Sequence, residues 1–414
     1  MSEYARLGLM ARVYEAIIED ADRVTLQLND MLLPAIEVVG NSLVSPAAVV
    51  ISRAVLVESA PDGELHGVPV APLLLRSGGL YFEPRSGGVR MRENRLGRGA
   101  RNPDVQEATH FGMVNVIYHV SRCADYLNGI LRELGASVLP RLTIVVGAHA
   151  GSRLPGYAQG DGDYRPGHIR PFTGGHYRLS ARTTGIDEHF PVDPSGEIHL
   201  GPGRRRTSFA GQAAYLRNAA HNPATIYHEF GHHLCRHTAD FRLNAEREPD
   251  QQRNGKIGPE EGICDYVAAS LLGSGRPYGW YRPTRGERRD PAILRRWEGD
   301  DERDAHAAGA IWAAALWNAR QQLLRQNLLG SPRDHDRAVL RALLQLGTVA
   351  ARRGQRRPRR DREAERGAPA TVIEAYLTAL REEGGAHAVE VGASVLAAAG
   401  LHREISVHAE TVRC

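Results

Sequence analysis

The sequence predicts an α+β protein, and three observations carry that reading. Residues 35–99 hold short, β-branched apolar runs broken by turns. The middle of the chain sets isolated strands among helices. Beyond residue 240 the apolar spacing is helical almost throughout. With 414 residues, 42% of them hydrophobic, the chain is long enough to bury two or three packed subdomains. We divide it into residues 1–100, an N-terminal helix plus a β-rich section; residues 101–240, an upper lobe of strands among helices; and residues 241–414, a helical C-terminal lobe.

Taken in order, the apolar period over Tyr4–Met31 reads as a helix ended near Pro34. Ala48–Ile51, Ala54–Val57 and Val70–Leu75 then read as strands, separated by Pro61-Asp62-Gly63 and Ser77-Gly78-Gly79 turns. Asn102-Pro103-Asp104 opens a long helix running to about Leu134. Asp104 and Glu107 are spaced as in a capping box, and Phe111, Val114, Ile117 and Tyr118 lie on one face. Leu142–Val146 is a buried strand; Tyr177–Ala181 and Glu197–Leu200 are further strands among Gly/Pro-rich loops. Helices follow at Pro223–His237, Glu260–Leu272 and Asp304–Gln326, with two more, Thr371–Arg381 and Ala388–Ala399, closing the chain. Between them, Arg352–Arg366 has no apolar residue except Ala364, so it is expected to be a solvated loop.

Charge and composition exclude several classes. The net charge is +4 and the pI about 8.9. Lys256 is the single lysine among 52 basic residues. That skew points to the composition bias of a GC-rich genome rather than to a nucleic-acid surface, and nucleic acid is not expected as a partner. Four cysteines, Cys123, Cys235, Cys264 and Cys414, are too few for a disulfide scaffold. Acidic residues Glu15, Glu19, Asp20 and Asp22 interrupt any secretory signal, and there is no run of about 18 apolar residues, so neither export nor membrane insertion is expected and the compartment reads as cytoplasmic.

The chemistry lies in His228-Glu229-Phe230-Gly231-His232. On a helix, residues four apart share a face, so His228 and His232 can both reach one Zn²⁺. Glu229 stands where it can act as general base on water at the metal. A catalytic zinc takes three protein ligands and keeps a fourth position open. Glu260 and Glu261 are the available carboxylates downstream. We favour Glu261, because Asp265 follows four residues later on the same face and can accept the ring N–H of a zinc histidine. Pro259 just before them suits a helix start. His233 and His237 lie on a rotated face and read as residues outside the metal shell. Cys235 and Cys264 read as small buried packing residues on the faces that meet at the metal.

These residues resemble the gluzincin metallopeptidases. Glu261-Gly-Ile-Cys-Asp265 is similar to the E-G-x-x-D segment of the fungalysin family and, more distantly, of thermolysin. His306-Ala-Ala-Gly-Ala-Ile-Trp-Ala-Ala-Ala-Leu-Trp317 looks like the fungalysin H-x-x-G-x-x-W-A-x-x-L-W helix, and the helical pattern of Asp336–Leu343 is also similar. The likeness covers about residues 104–400. It implies a thermolysin-like fold, with a β-containing N-terminal lobe, central zinc helices and a helical C-terminal lobe. It also implies zinc held by His228, His232 and Glu261, with Asp265 behind a ligand and Glu229 as catalytic base.

One departure matters: gluzincins of the thermolysin sort carry a tyrosine between the second histidine and the glutamate ligand. That interval here holds Arg242, Asn244, Arg247, Arg253 and Lys256 but no tyrosine. His306 is the first candidate for the missing catalytic donor, ahead of Tyr278 and Tyr281. Glu197–Gly201, shortly before the zinc helix, is the expected edge strand for substrate.

The expected activity is therefore zinc-dependent peptide-bond hydrolysis of narrow specificity on a peptide or protein substrate, such as peptide maturation. Two alternatives stand beside it: a zinc amide hydrolase acting on a small molecule, and a non-catalytic binding module on a peptidase scaffold.

Overall fold

The computed structural model describes residues 8–19, 23–33, 35–52, 54–58, 65–84, 89–92, 95–97, 102–147, 174–178, 195–201, 204–206, 215–216, 218–248, 251–253, 255–278, 289–297, 304–353 and 358–401. Tyr281 and Cys414 lie outside these residues. The architecture is α+β.

The first element corrects the expectation of an N-terminal helix. Strands β1 (Leu9–Glu19) and β2 (Arg23–Leu33) form an antiparallel hairpin with Leu9 opposite Leu33. The apolar residues of this segment fit a helical spacing loosely. However, Val13, Ile17, Ile18, Val24 and Thr25 are β-branched and favour a pleated surface. Burial follows the strand period: Ala11 and Val13 are fully buried, and their neighbours less so. The hairpin is docked through its backbone, since Asn115 Oδ1 accepts from Tyr14 N at 2.9 Å and His119 Nε2 donates to Tyr14 O at 2.8 Å.

β3 (Glu37–Val39), β4 (Ser42–Val44) and β5 (Ala48–Ser52) form a meander, and β6 (Ala54–Glu58) and β7 (Leu65–Pro69) a second hairpin. The expected strand at Val70–Leu75 is irregular instead. β8 (Val89–Arg92) and β9 (Arg95–Gly97) precede α1 (Asn102–Glu133). Asp104 lies inside this helix rather than capping it. Glu107 serves elsewhere, ion-paired to Arg76 at 2.6 Å and accepting from Glu83 N at 2.9 Å. α1 is buried on all sides over its middle: Met113, Val116 and Val120 are as inaccessible as Phe111, Val114 and Ile117. It is the central helix of the core.

β10 (Leu142–Val146), β11 (Gly175–Arg178) and β12 (Glu197–Leu200) join β3–β5 in a six-stranded mixed sheet of order β11-β12-β10-β5-β4-β3. β10 runs parallel to both β5 and β12, and β11 is antiparallel to β12. Residues 1–100 therefore share a sheet with residues 101–240, because β5 pairs directly with β10. The order also corrects the expected edge. Residues 197–200 are interior and buried, and β11 is the outermost described strand on that side. β13 (Arg204–Arg206) and β14 (Tyr215–Leu216) belong to a separate four-stranded sheet with β8 and β9.

The site is carried by helices. α2 (Pro223–His237) starts where sequence says it should: Asn222 Oδ1 accepts from Ala224 N at 3.0 Å, and Pro223 takes the first helical position. α3 (Gly258–Leu272) begins at Gly258-Pro259 and stops at Gly273, whose φ of 69° few side chains tolerate. α4 (Ala305–Arg325) is capped by Asp304. α3 and α4 cross at glycines: a Cβ on Gly262 would meet Trp312 Cβ at 2.3 Å, and one on Gly309 would meet Glu261 Cβ at 2.6 Å. This close approach brings the start of α4 next to Glu261.

α5 (Pro332–Arg353), α6 (Arg359–Arg366) and α7 (Pro369–Ala398) complete the chain. α7 spans both expected closing helices, broken at Gly385 with φ 77°. α6 corrects the expectation of a solvated loop over Arg352–Arg366; positions 354–357 lie outside the described residues. One face of it is paired inward, through Glu363 and Arg366, while Arg360 and Asp361 stay exposed. Glu363, 8% exposed, meets Arg247 at 2.7 Å and Arg242 at 3.3 Å, and Arg366 donates to Ala239 O and Asp240 O. Among the described residues, no helix is long and apolar enough to cross a membrane.

Candidate metal centre

α2 delivers His228 and His232 to one buried face, and α3 meets that face with its first two turns. The outer ring nitrogens are taken by carboxylates. His228 Nδ1 donates to Asp265 Oδ1 at 2.8 Å, and His232 Nδ1 donates to Glu260 Oε1 at 2.8 Å. Each bond places the ring proton on Nδ1 and leaves the Nε2 lone pair facing inward. Both Nε2 atoms face Glu261: His228 Nε2 is 3.2 Å from Oε2 and His232 Nε2 is 3.5 Å from Oε1. The ligating atoms of His228, Glu229 and His232 lie within 4.8 Å of one another.

These atoms are buried and unbonded. Among the described residues, both oxygens of Glu261, Nε2 of His232 and Oε2 of Glu229 have no hydrogen-bond partner. A buried carboxylate without partners is costly. Convergence of two imidazole nitrogens on such a carboxylate is the donor set that a divalent cation satisfies, and the residues fit a metal ion on that ground. Burial opposes a charge on Glu261, but His232, His228 and Lys256 outweigh it and hold the carboxyl well below the usual range. Burial likewise opposes a charge on His228, and Asp265 overrides it, raising the pKa to about 9, so a metal bound at Nε2 would displace a proton there.

A second layer braces the histidines. Asp265 accepts from Tyr278 Oη at 2.8 Å and from Arg289 at 2.6 and 3.0 Å, and the guanidinium lies 5.1 Å from the Tyr278 ring centroid. Burial works against the Asp265 charge, but Arg289 and His228 keep its carboxyl ionised far below the ordinary range. Tyr278 is thus buried and committed to Asp265, which removes it as a donor to substrate. Tyr177 of β11 stacks on His232, ring centroids 6.4 Å apart.

Glu229 faces β11. A Cβ on Gly175 would come within 2.7 Å of Glu229 Cγ and 2.8 Å of Oε1, so only glycine lets the strand pass this close. His306 stands on the open side, with Nε2 3.5 Å from Glu261 Oε2 and Nδ1 3.3 Å from Asp304. Burial and the surrounding cations lower its pKa.

The chain matches no protein-family model, and it matches no curated protein sequence.

The structure brings His228, Glu229, His232, Glu261 and Asp265 together, with His306 at the rim. Glu260 and Arg289 were missed as supporting residues. Sequence offers Glu260 only as a rival ligand, and the helical spacing that places Asp265 behind one of the histidines gives no equivalent signal for the other. Arg289 follows α3 through a stretch without helical period, so no pattern points to it. His233 is buried, donating from Nε2 to Pro140 O at 2.9 Å, and burial pushes its pKa down to about 3. It takes no part in the cluster. Cys123, Cys235 and Cys264 are free and buried.

Proposed function

We propose that this chain is a zinc-dependent peptidase of gluzincin type, with a thermolysin-like arrangement of its two lobes around α2 and α3. The observation that carries the reading is the buried Glu261 carboxylate, without a hydrogen bond on either oxygen among the described residues, facing Nε2 of both His228 and His232. Two imidazoles and one carboxylate with a position left open are the donor set of catalytic zinc.

His228, His232 and Glu261 would hold the ion. Bound there, it supplies Lewis acidity to a carbonyl and lowers the pKa of water toward ~7. Glu229 is the general base. It sits one residue along from a ligand, keeps an unbonded Oε2, and is pressed into position by Gly175. It takes the proton from the attacking water and returns it to the leaving nitrogen. His306, half-exposed beside Glu261, can donate to the substrate from the rim. A peptide substrate is supported by the outermost strand β11 running directly past Glu229.

The test is metal analysis joined to cleavage of a peptide library. The purified protein should carry one zinc per chain and cut peptides. Glu229→Gln should keep the zinc and lose nearly all turnover. Full activity in that variant, or a wild-type protein that binds no zinc, overturns the reading.

A further inference from the structure

Lys256 is the single lysine in a chain that uses arginine everywhere else. It lies in the segment between α2 and α3. Its Nζ stands 3.5 Å from Glu261 Oε1, on the opposite oxygen from His306. The side chain is 21% exposed, so the ammonium borders the buried carboxylate and still reaches solvent. Lys256 also lines a separate cleft with Tyr177, Arg242, Gly255 and Glu260, on the Nδ1 side of His232. The backbone is clamped: Arg242 Nε donates to Gly255 O at 2.7 Å and Nη2 to Lys256 O at 3.0 Å. Arg242 is itself held by Glu363 of α6. The backbone at Lys256 is held in place, and the side chain is free to carry Nζ from the Glu261 carboxylate to a neighbouring oxygen.

The other fixed cation near the cluster, Arg289, is locked against Asp265 by two hydrogen bonds. Lys256 is not spent in this way, though its charge interacts with both Glu229 and Glu261. The chemical difference explains the choice of residue. A guanidinium is a planar fork that would pair rigidly with Glu261, as Arg289 does with Asp265. An ammonium is a compact point charge on a flexible stem, able to leave one oxygen for another.

We propose that Lys256 is the oxyanion donor of this site, hydrogen-bonding the scissile carbonyl oxygen as it becomes negative. The proposal rests on the hydrolase reading above. Water oxygen adds to the carbonyl carbon, the C=O π pair moves onto oxygen, and Glu229 takes the proton of the water. Lys256 keeps its own proton and bonds the new oxyanion. When the C–N bond breaks, the oxyanion pair re-forms the carbonyl, and the leaving nitrogen takes the proton from Glu229. A positioned donor of this kind accounts for about 10²–10³ in turnover.

A sole lysine permits a direct experiment. Reductive methylation with ¹³C-formaldehyde labels only Lys256 and the terminal amine, so Lys256 gives one assignable resonance. In the zinc-loaded wild type, a phosphoramidate dipeptide, whose tetrahedral oxygens stand in for the oxyanion, should shift that resonance at saturation. Lys256→Met should lose about 10²–10³-fold in kcat with KM little changed and zinc content unaltered. Lys256→Arg, which keeps the charge, should still lose at least about 10-fold. A mere counter-ion to Glu261 predicts the reverse: rescue by arginine, loss of zinc in the methionine variant, and no response to the dipeptide. Near-normal kcat in Lys256→Met, or an unmoved resonance on zinc-loaded enzyme, overturns the proposal and leaves the peptidase intact. A wild type without zinc or turnover overturns both. The resonance is read on the unsubstituted chain, so misfolding of a variant does not blunt the test.

Discussion

His232 hands its Nδ1 proton to Glu260 at 2.8 Å, and this single bond aims its Nε2 at Glu261, the next residue along the same helix. Adjacent carboxylates of α3 thus grip one imidazole from opposite ends, and they should fail differently. Glu261→Ala is expected to abolish stoichiometric zinc binding. Glu260→Ala should keep the site but weaken zinc affinity about 10- to 100-fold, as loss of an orienting partner does. Competition with a chelator of known affinity measures both. Equal losses in the two variants would remove the distinction between ligand and support, and the opposite order would reverse it.

Gly175 sits 2.7 Å, at its virtual Cβ, from Glu229 Cγ. Gly175→Ala should push the carboxylate aside without touching a ligand. Turnover is expected to fall about 100-fold, the scale of a 1 Å misplacement of a reacting group. Zinc content and thermal stability should stay near wild type, and parallel metal analysis and kinetics check this. Wild-type kcat in this variant would remove β11 from the description of the site.

Glu363 gathers Arg242, Arg247 and Arg253 at 3.3, 2.7 and 3.5 Å. Glu363→Ala leaves the buried Arg247, 7% exposed, without its carboxylate and should cost ~3 kcal/mol, while Arg253, 61% exposed, stays hydrated. Urea denaturation of the metal-free protein measures it. A loss under about 0.5 kcal/mol, the range of ordinary surface changes, would mean that α6 is held by something else.

His119, His221 and His335 are buried, and burial lowers their pKa values to about 3, about 4 and about 3. They fold neutral. Below pH ~6.5 the unfolded chain takes up protons that the folded chain refuses, so stability falls with pH until the folded values are reached. The slope is up to ~1.4 kcal/mol per pH unit for each histidine. Equilibrium unfolding between pH 6 and pH 4.5 should show this loss. It should be shallower by about one proton in His221→Gln, whose amide can still donate to Ala108 O as the imidazole does at 2.8 Å. An unchanged slope in that variant would show that His221 charges in the folded state.

The helices were legible because their signals are local. Asn222 and Asp304 cap α2 and α4 through side-chain bonds two residues on, and Pro259 starts α3 without one. The spacing of His228 and His232 fixes a common face on any helix. The hairpin at residues 9–33 was not legible. Its apolar pattern suits two periods, and only the docking of Tyr14 on Asn115 and His119 selects the strand.

The same division runs through the site. By itself the sequence pointed to the helix that puts His228 and His232 on one face and to Asp265 on the same face as Glu261, because helical periodicity orders residues up to about two turns apart. Only the tertiary structure decided that Glu260 serves His232, that Arg289 locks Asp265, that β11 rather than β12 borders Glu229, and that Glu363 turns the Arg-rich segment inward. These are contacts between residues far apart in the chain. They exist because crossing helices at Gly262 and Gly309, and a strand stripped to glycine at 175, allow distances that no sequence pattern encodes.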